Sequence, residues 1–276
     1  METVDEIRNQ KSFVEYFSCK VSFYKPSDSY YKENYPVQKN HVVELKMSDK
    51  MYNEYVKIED APKMREDLAP DELASGAFYS GLRQASNNYG GINNPKTKWI
   101  IDKLKKDVVD RKIQHKTLIY STYKFSKIVG KKTPLNHATK YLSDHKINYG
   151  LISGNISKAD RKRIVDKYNS GEYPVLFISK AGSEGLDLKE TRNVIIIEPT
   201  WNREMINQTI GRAVRYKSHA ALSPKERVVN VYELLAVKPD GVEDDMISVD
   251  KILFNYSRKK TSSNRTFSRR GERGID

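Results

Sequence analysis

The stretch "INQTIGRAVRY", residues 206–216, sets Arg212 and Arg215 three positions apart, with Gly211 directly before the first. On a helix that spacing puts both guanidinium groups on one face. Arginine presents a planar fork of donors that matches phosphate oxygens, and it does not lose its charge. Two such forks, with Gln208 one turn earlier and no side chain at Gly211, suit a polyphosphate. The plainer alternative is a surface salt-bridge pair.

Two further stretches carry anion-binding chemistry. "KAGSEGLDL", residues 180–188, follows the apolar run "PVLFIS". Glycine lets backbone N–H groups come close to an anion, and Asp187 at the rim can accept from a hydroxyl or hold an arginine. "SGNISKADR" follows "NYGLIS". There Ser153, Gly154 and the amino end of the helix after Ser157 offer backbone donors and a helix dipole to a phosphate. Each signal is weak alone, since glycine-bearing turns and capped helices are common.

A scaffold must position these residues, and the apolar pattern supplies one. Continuous apolar runs at 117–123, 148–153, 174–179, 193–199 and 228–237 read as strands. Between them, 134–145, 157–171 and 202–216 read as helices, the second opened by a Ser157/Asp160 capping pair and closed at Gly171. Unbroken rather than alternating apolar runs indicate a parallel sheet covered on both faces. Functional loops then lie at the carboxyl ends of strands, after Tyr123, Ser153, Ser179 and Pro199. Upstream, 96–109 is expected to be helical with Ile101, Leu104 and Val108 on one side. Residues 48–60 read as a helix capped by Ser48. Residues 1–45 read as irregular and 60–96 as mostly loop.

The 276 residues carry a formal net charge of +13. That balance favours a polyanionic partner. The segment from Ser257 onward, expected to be a disordered basic tail, accounts for +5 of it, so the remainder is still +8. One cysteine, Cys19, excludes an internal disulfide and a cysteine-built zinc site and suits a reducing compartment. The five histidines show no metal-ligand spacing. No apolar run approaches the roughly 20 residues that span a bilayer.

Taken in order, "TLIYSTY", "LISGNISKADR", "VLFISKAGSEGLDL", "VIIIEPTWN" and "QTIGRAVRY" resemble motifs IV, V and VI of the second RecA-like lobe of superfamily 2 helicases and translocases. Gly154 and Arg161 match the intervening Gly–Arg element. The "EPTWN" at 198–202 is similar to the chromatin-remodelling branch. "CKVSFY", "MSDKMYNEY", "GLRQASN", "RYKSH" and "SVDKILF" resemble its large-DNA-virus members, of the poxvirus nucleoside triphosphate phosphohydrolase I and early transcription factor type.

The resemblance implies an α/β fold: a RecA-like parallel sheet flanked by helices, with an irregular or helical N-terminal extension and a basic C-terminal tail. It implies that Arg212 and Arg215 act as arginine fingers on ATP, with Gln208 orienting near the nucleotide. Gly185, Asp187 and Gly211 would border the nucleotide. Ser121, Ser153, Gly154, Ser179 and Lys180 would touch the phosphates of a bound strand, DNA rather than RNA. Mg2+ would be held mainly by an N-terminal RecA-like lobe of the same protein.

No G-x-x-x-x-G-K-[ST] occurs; "GKKT" at 130–133 has Phe125 where the upstream glycine would stand. "PDEL" at 70–73 and "VDEI" at 4–7 read as helix-start acids rather than a magnesium box. The expected organisation is 1–94 as connector and extension, 95–256 as the helicase lobe and 257–276 as tail, in the carboxyl-terminal half of a two-lobe motor. Such a chain is expected to hydrolyse almost no ATP alone. The viral likeness implies transcription machinery as a partner and a place in the virion or host cytoplasm. A cellular protein would be nuclear. A second reading keeps the lobe fold in a non-enzymatic nucleic-acid adaptor.

Overall fold

The computed structural model describes residues 27–59, 80–111, 114–123, 133–154, 156–179, 185–241 and 247–259. Six strands are described: β1 (Val37–Lys46), β2 (Thr117–Ser121), β3 (Tyr149–Ile152), β4 (Val175–Ser179), β5 (Asn193–Ile196) and β6 (Val228–Val237). They form one sheet in the order β1-β6-β5-β2-β4-β3, and every pairing is parallel. All six carboxyl ends therefore lie along one edge. The helices are α1 (Asp28–Asn34), α2 (Asp49–Glu59), α3 (Ser80–Asn88), α4 (Pro95–Leu104), α5 (Pro134–Asp144), α6 (Lys158–Asn169), α7 (Arg203–Ala213) and α8 (249–259).

The central strands β2, β4 and β5 are buried at every position, and their sequences TLIYS, VLFIS and NVII are rich in branched and aromatic side chains. Successive residues point to opposite faces, so each strand feeds two cores. Leu118, Tyr120, Leu176, Ile178, Val194 and Ile196 pack with Ile206, Ile210 and Ala213 of α7. Ile119, Val175, Phe177, Ile195 and Ile197 pack with Ile100 and Leu104 of α4 and Leu135, Ala138 and Leu142 of α5. The buried stripe of α4 runs through Ile100 rather than the expected Ile101, continuing to Val108 in a π-helical turn at Lys105–Val109. Buried Asp107 in that turn accepts from Asn193 Nδ2 at 3.1 Å and pairs with Lys103 at 2.8 Å.

Local signals set the helix starts. Asn94 caps α4 through Lys96 N at 2.9 Å, with Pro95 at the first position. Thr133 and Asn136 cap α5 reciprocally. Ser157 Oγ accepts from Asp160 N at 3.0 Å to open α6. Beyond α6, Gly171 takes φ +86°, a left-handed conformation at little cost only to glycine.

Three expectations are corrected. Residues 28–46, read as irregular, contain α1 and the ten-residue β1, which pairs with β6 from Val37↔Val228 to Lys46↔Val237. Edge exposure hides it: most of "VQKNHVVELK" faces water, so no apolar run betrays a strand. Within 60–96, read as mostly loop, residues 80–88 form α3. The segment assigned to the basic tail begins inside α8, which runs to residue 259.

β6 pairs with β5 only over Asn230–Glu233. Its remaining length carries a third core: Met47, Met51, Tyr55, Leu82, Ala85, Ala236, Val249 and Leu253. "MSDKMYNEY", "GLRQASN" and "SVDKILF" are thus parts of one packed module.

Candidate nucleotide and nucleic-acid interface

α7 starts just past the carboxyl end of β5. Asn202 Oδ1 caps it by accepting from Glu204 N at 3.0 Å. Arg203 forks onto Glu233 of β6, with Nη2 to Oε1 at 2.9 Å and a second bond from Nη1 to Oε2. Ile206, Thr209, Ile210 and Ala213 are buried, leaving Gln208 exposed and Arg212 half-buried four residues later. Among the described residues, a Cβ added at Gly211 would meet nothing within 4 Å.

The helix ends at Ala213. Val214 is the C-cap, at φ −96° and ψ 81°, and Arg215 lies beyond it. The two arginines therefore do not share a helical face, which corrects that expectation. The buried Ser218 hydroxyl gives the reason. It accepts from Arg215 N at 3.3 Å and lies 3.1 Å from Ala213 O and 2.9 Å from Arg215 O. Serine thereby offers these backbone groups partners outside the helix.

The turn nevertheless brings both arginines to the segment 185–188. Leu188 N donates to Arg212 O at 3.3 Å. Arg215 Nη1 donates to Leu186 O at 3.2 Å and approaches Asp187 Oδ1 at 3.4 Å. Gly185 makes this approach with φ +69°. Asn169 braces the segment, donating to Asp187 O at 3.0 Å and accepting from Lys189 N at 2.8 Å. The Arg215 and Asp187 side chains are 44% and 63% exposed, so their pairing holds the guanidinium only loosely. Arg212 Nε is buried with no hydrogen-bond partner among the described residues.

His219 anchors the turn from below. Its Nε2 meets Thr191 O at 2.8 Å and its Nδ1 meets Ser218 Oγ at 2.9 Å. Burial pushes its pKa down. Thr191 and Asn34, whose carbonyl accepts from Lys217 N at 2.7 Å, both precede strand starts. The arginine turn therefore lies at the amino edge of the sheet.

The other sequence candidates lie at the opposite edge. Ser121 and Ser179 are register neighbours ending β2 and β4. Both are buried. Ser121 Oγ donates to Glu198 Oε1 at 2.9 Å, while Ser179 Oγ has no partner among the described residues. Ser153 is half-buried after β3 and Gly154 exposed. Lys180, "PDEL", "VDEI" and most of "GKKT" lie outside the described residues.

Sequence reasoning passed over the hub of this edge, Glu198, although it lies in the quoted "EPTWN". Its Oε1 also accepts from Thr122 Oγ1 at 2.6 Å, from Thr122 N, and from Tyr123 N at 3.3 Å. Burial pushes the Tyr123 phenol up to about 12. Among the described residues there is no group of three side chains suited to hold a metal, and no helix is long and apolar enough to cross a membrane.

The model of the helicase conserved C-terminal domain matches residues 96–217, from the start of α4 through both arginines. These residues are a helicase C-terminal domain. An Acanthamoeba polyphaga mimivirus protein that carries the name ATP-dependent RNA helicase is 30% identical over 252 residues, 87% of this chain and 53% of that protein. A termination factor NPH-I homolog of African swine fever virus is 33% identical over 143 residues, 47% of this chain and 20% of its own length. Nucleoside triphosphatase I of Melanoplus sanguinipes entomopoxvirus is 35% identical over 100 residues, covering 35% of this chain and 15% of that protein. The chain thus spans about half the length of the first relative and much less of the others. The crystal structure of the C-terminal part of the Fun30 ATPase domain shares the fold, with a TM-score of 0.58 at 16% identity over 81% of this chain and 90% of that one. The resemblance of the helicase domain to viral superfamily 2 proteins is thereby established. β1, α2, α3, β6 and α8 lie outside the matched residues and attach to its β5 side.

Proposed function

We propose that the chain is the carboxyl-terminal part of an ATP-dependent nucleic-acid helicase or translocase. In this reading Arg212 and Arg215 complete an ATP site whose other wall is a second RecA-like lobe. One observation carries it: the arginine turn is built and anchored within this chain, yet Arg215 stays exposed among the described residues, paired loosely with Asp187. Glycine in a helix interior costs roughly 1 kcal/mol relative to alanine. No contact among the described residues requires Gly211, so its bare backbone leaves room there for a body that approaches from outside. The loosely held Arg215 fits a triphosphate, and Asp187 would release it, with Arg212 half-buried in the last turn of α7. ATP supplies the phosphoryl group, with Mg2+ held mainly by the other lobe. This chain's residues supply positive charge where negative charge develops.

The carboxyl edge, at Ser153, Gly154 and the ends of β2 and β4, would face the strand, DNA in our reading. An RNA helicase and a termination factor among the relatives' names support nucleic acid as substrate and work in viral transcription.

The test is nucleic-acid-stimulated ATP hydrolysis by the full-length protein. Arg215→Ala and Arg212→Ala are each expected to lower kcat by about a thousandfold with nucleic-acid affinity retained. Full turnover in both variants would make the arginines structural, whereas no ATP hydrolysis by the wild-type full-length protein would favour the non-enzymatic adaptor. The 276-residue chain alone is expected to turn over almost no ATP.

A further inference from the structure

The helicase domain's strand-facing edge is held from outside the domain. Arg83 lies on α3, upstream of the matched residues 96–217. Its Nη2 donates to Thr122 Oγ1 at 3.4 Å and to Pro199 O at 3.3 Å, and its guanidinium carbon sits 5.5 Å from the Tyr123 ring centre. It thus touches the loop after β2 and the loop after β5 together. Glu198, buried beneath, gathers Ser121 Oγ, Thr122 Oγ1, Thr122 N and Tyr123 N onto one carboxylate oxygen. Thr122 is the shared member, bound to both Glu198 and Arg83.

We infer that Arg83 and Glu198 are positioning residues that clamp residues 121–123 in the shape that receives a nucleic-acid strand. This rests on the strand-binding reading given above. The donors that a phosphate would meet along 121–123 are turned inward: both hydroxyls and Thr122 N are spent on Glu198, and Tyr123 N is shared between Ser121 Oγ at 3.1 Å and Glu198 Oε1 at 3.3 Å. The clamp therefore contributes shape, while strand contacts come from neighbouring groups that the clamped loop holds in place. Arg83 takes part the same way, because its guanidinium is engaged by Thr122, Pro199 and the Tyr123 face. It also connects α3, whose neighbour Ser86 bonds Asp250 of α8 at 3.2 Å, to the strand edge. The third core is thereby tied to the domain's working surface rather than merely packed beside it.

The experiment measures binding of fluorescein-labelled single-stranded DNA and RNA of one mixed sequence to the 276-residue chain across a salt series, by anisotropy. Melting of each variant is followed in parallel. Arg83→Ala and Glu198→Ala are expected to weaken binding about tenfold, a loss of about 1.4 kcal/mol, with the slope of log affinity against log salt unchanged. Arg83→Lys keeps the charge but loses the planar fork, and is expected to be as weak as Arg83→Ala. A positioning residue leaves the salt slope alone. A residue that neutralises a phosphate would lower it by about 0.7 on a single strand. A reduced slope for Arg83→Ala, rescue by lysine, or wild-type affinity in folded Arg83→Ala would each overturn the clamp. Failure of the wild-type chain to bind either strand would overturn the strand-binding reading itself.

Discussion

His219 shows how one buried side chain governs the presentation of another. Buried beneath the arginine turn, it fixes through Ser218 and Thr191 the turn on which Arg215 stands. Burial lowers its pKa; Arg192 and Lys116 act in the same direction, against the Thr191 carbonyl and Glu190. A group with a depressed folded pKa favours the native state above its unfolded value, about 6.5 for histidine. That contribution is lost as pH falls below this value and through the lower folded pKa. Melting temperature is therefore expected to drop as pH is lowered below about 6.5, and His219→Asn should flatten that drop. His115, also lowered by burial, will leave a residual slope. Identical pH profiles for wild type and variant would show that His219 is not the titrating group.

Among the elements, α8 has the most consequential attachment. Lys96 at the start of α4 and Asp250 on α8 pair at 2.5 Å with no exposure of either side chain. Asn87 takes another Lys96 bond at 2.8 Å, while Ser86 and Ala236 N donate to Asp250. Removing one partner strands the other as an uncompensated buried charge, which costs about 3–5 kcal/mol. Asp250→Ala should lower stability by that amount in urea unfolding, whereas Lys96→Met with Asp250→Leu should cost far less than two such losses. A loss below about 1 kcal/mol for Asp250→Ala would mean that water reaches the site. The same element accounts for a misreading of the sequence. "SVDKILF" and "GLRQASN" were visible only as likenesses. Their pairing depends on a lysine and an aspartate more than 150 positions apart, a separation no local periodicity reports.

At the scale of the molecule, the sheet separates the two proposed sites. The arginine turn occupies the amino edge and the Glu198 clamp the carboxyl edge, joined by α7, which runs from one to the other and is fastened by Arg203 to Glu233. The net charge of +13 adds a long-range attraction for nucleic acid. Affinity for duplex DNA is expected to fall by about 0.9 log units per log unit of salt for each phosphate neutralised. A salt-insensitive complex would exclude the charged surface as the source of binding.

The amino-acid sequence by itself determined the parallel sheet, because buried strands must be apolar on both faces and such runs are conspicuous. It also picked out Arg212 and Arg215 by their residue type and spacing. Only the tertiary structure placed β1, an exposed edge strand held by backbone bonds to β6, which leave no mark on side-chain pattern. Only the tertiary structure set Arg215 beyond the end of α7, because a serine downstream competes for the helix's last backbone groups. It alone turned Ser121 inward, since a carboxylate 77 residues away lies within 2.9 Å of its hydroxyl. Residue type and local spacing are written in the chain, whereas the partner that a polar group will find is decided by folding.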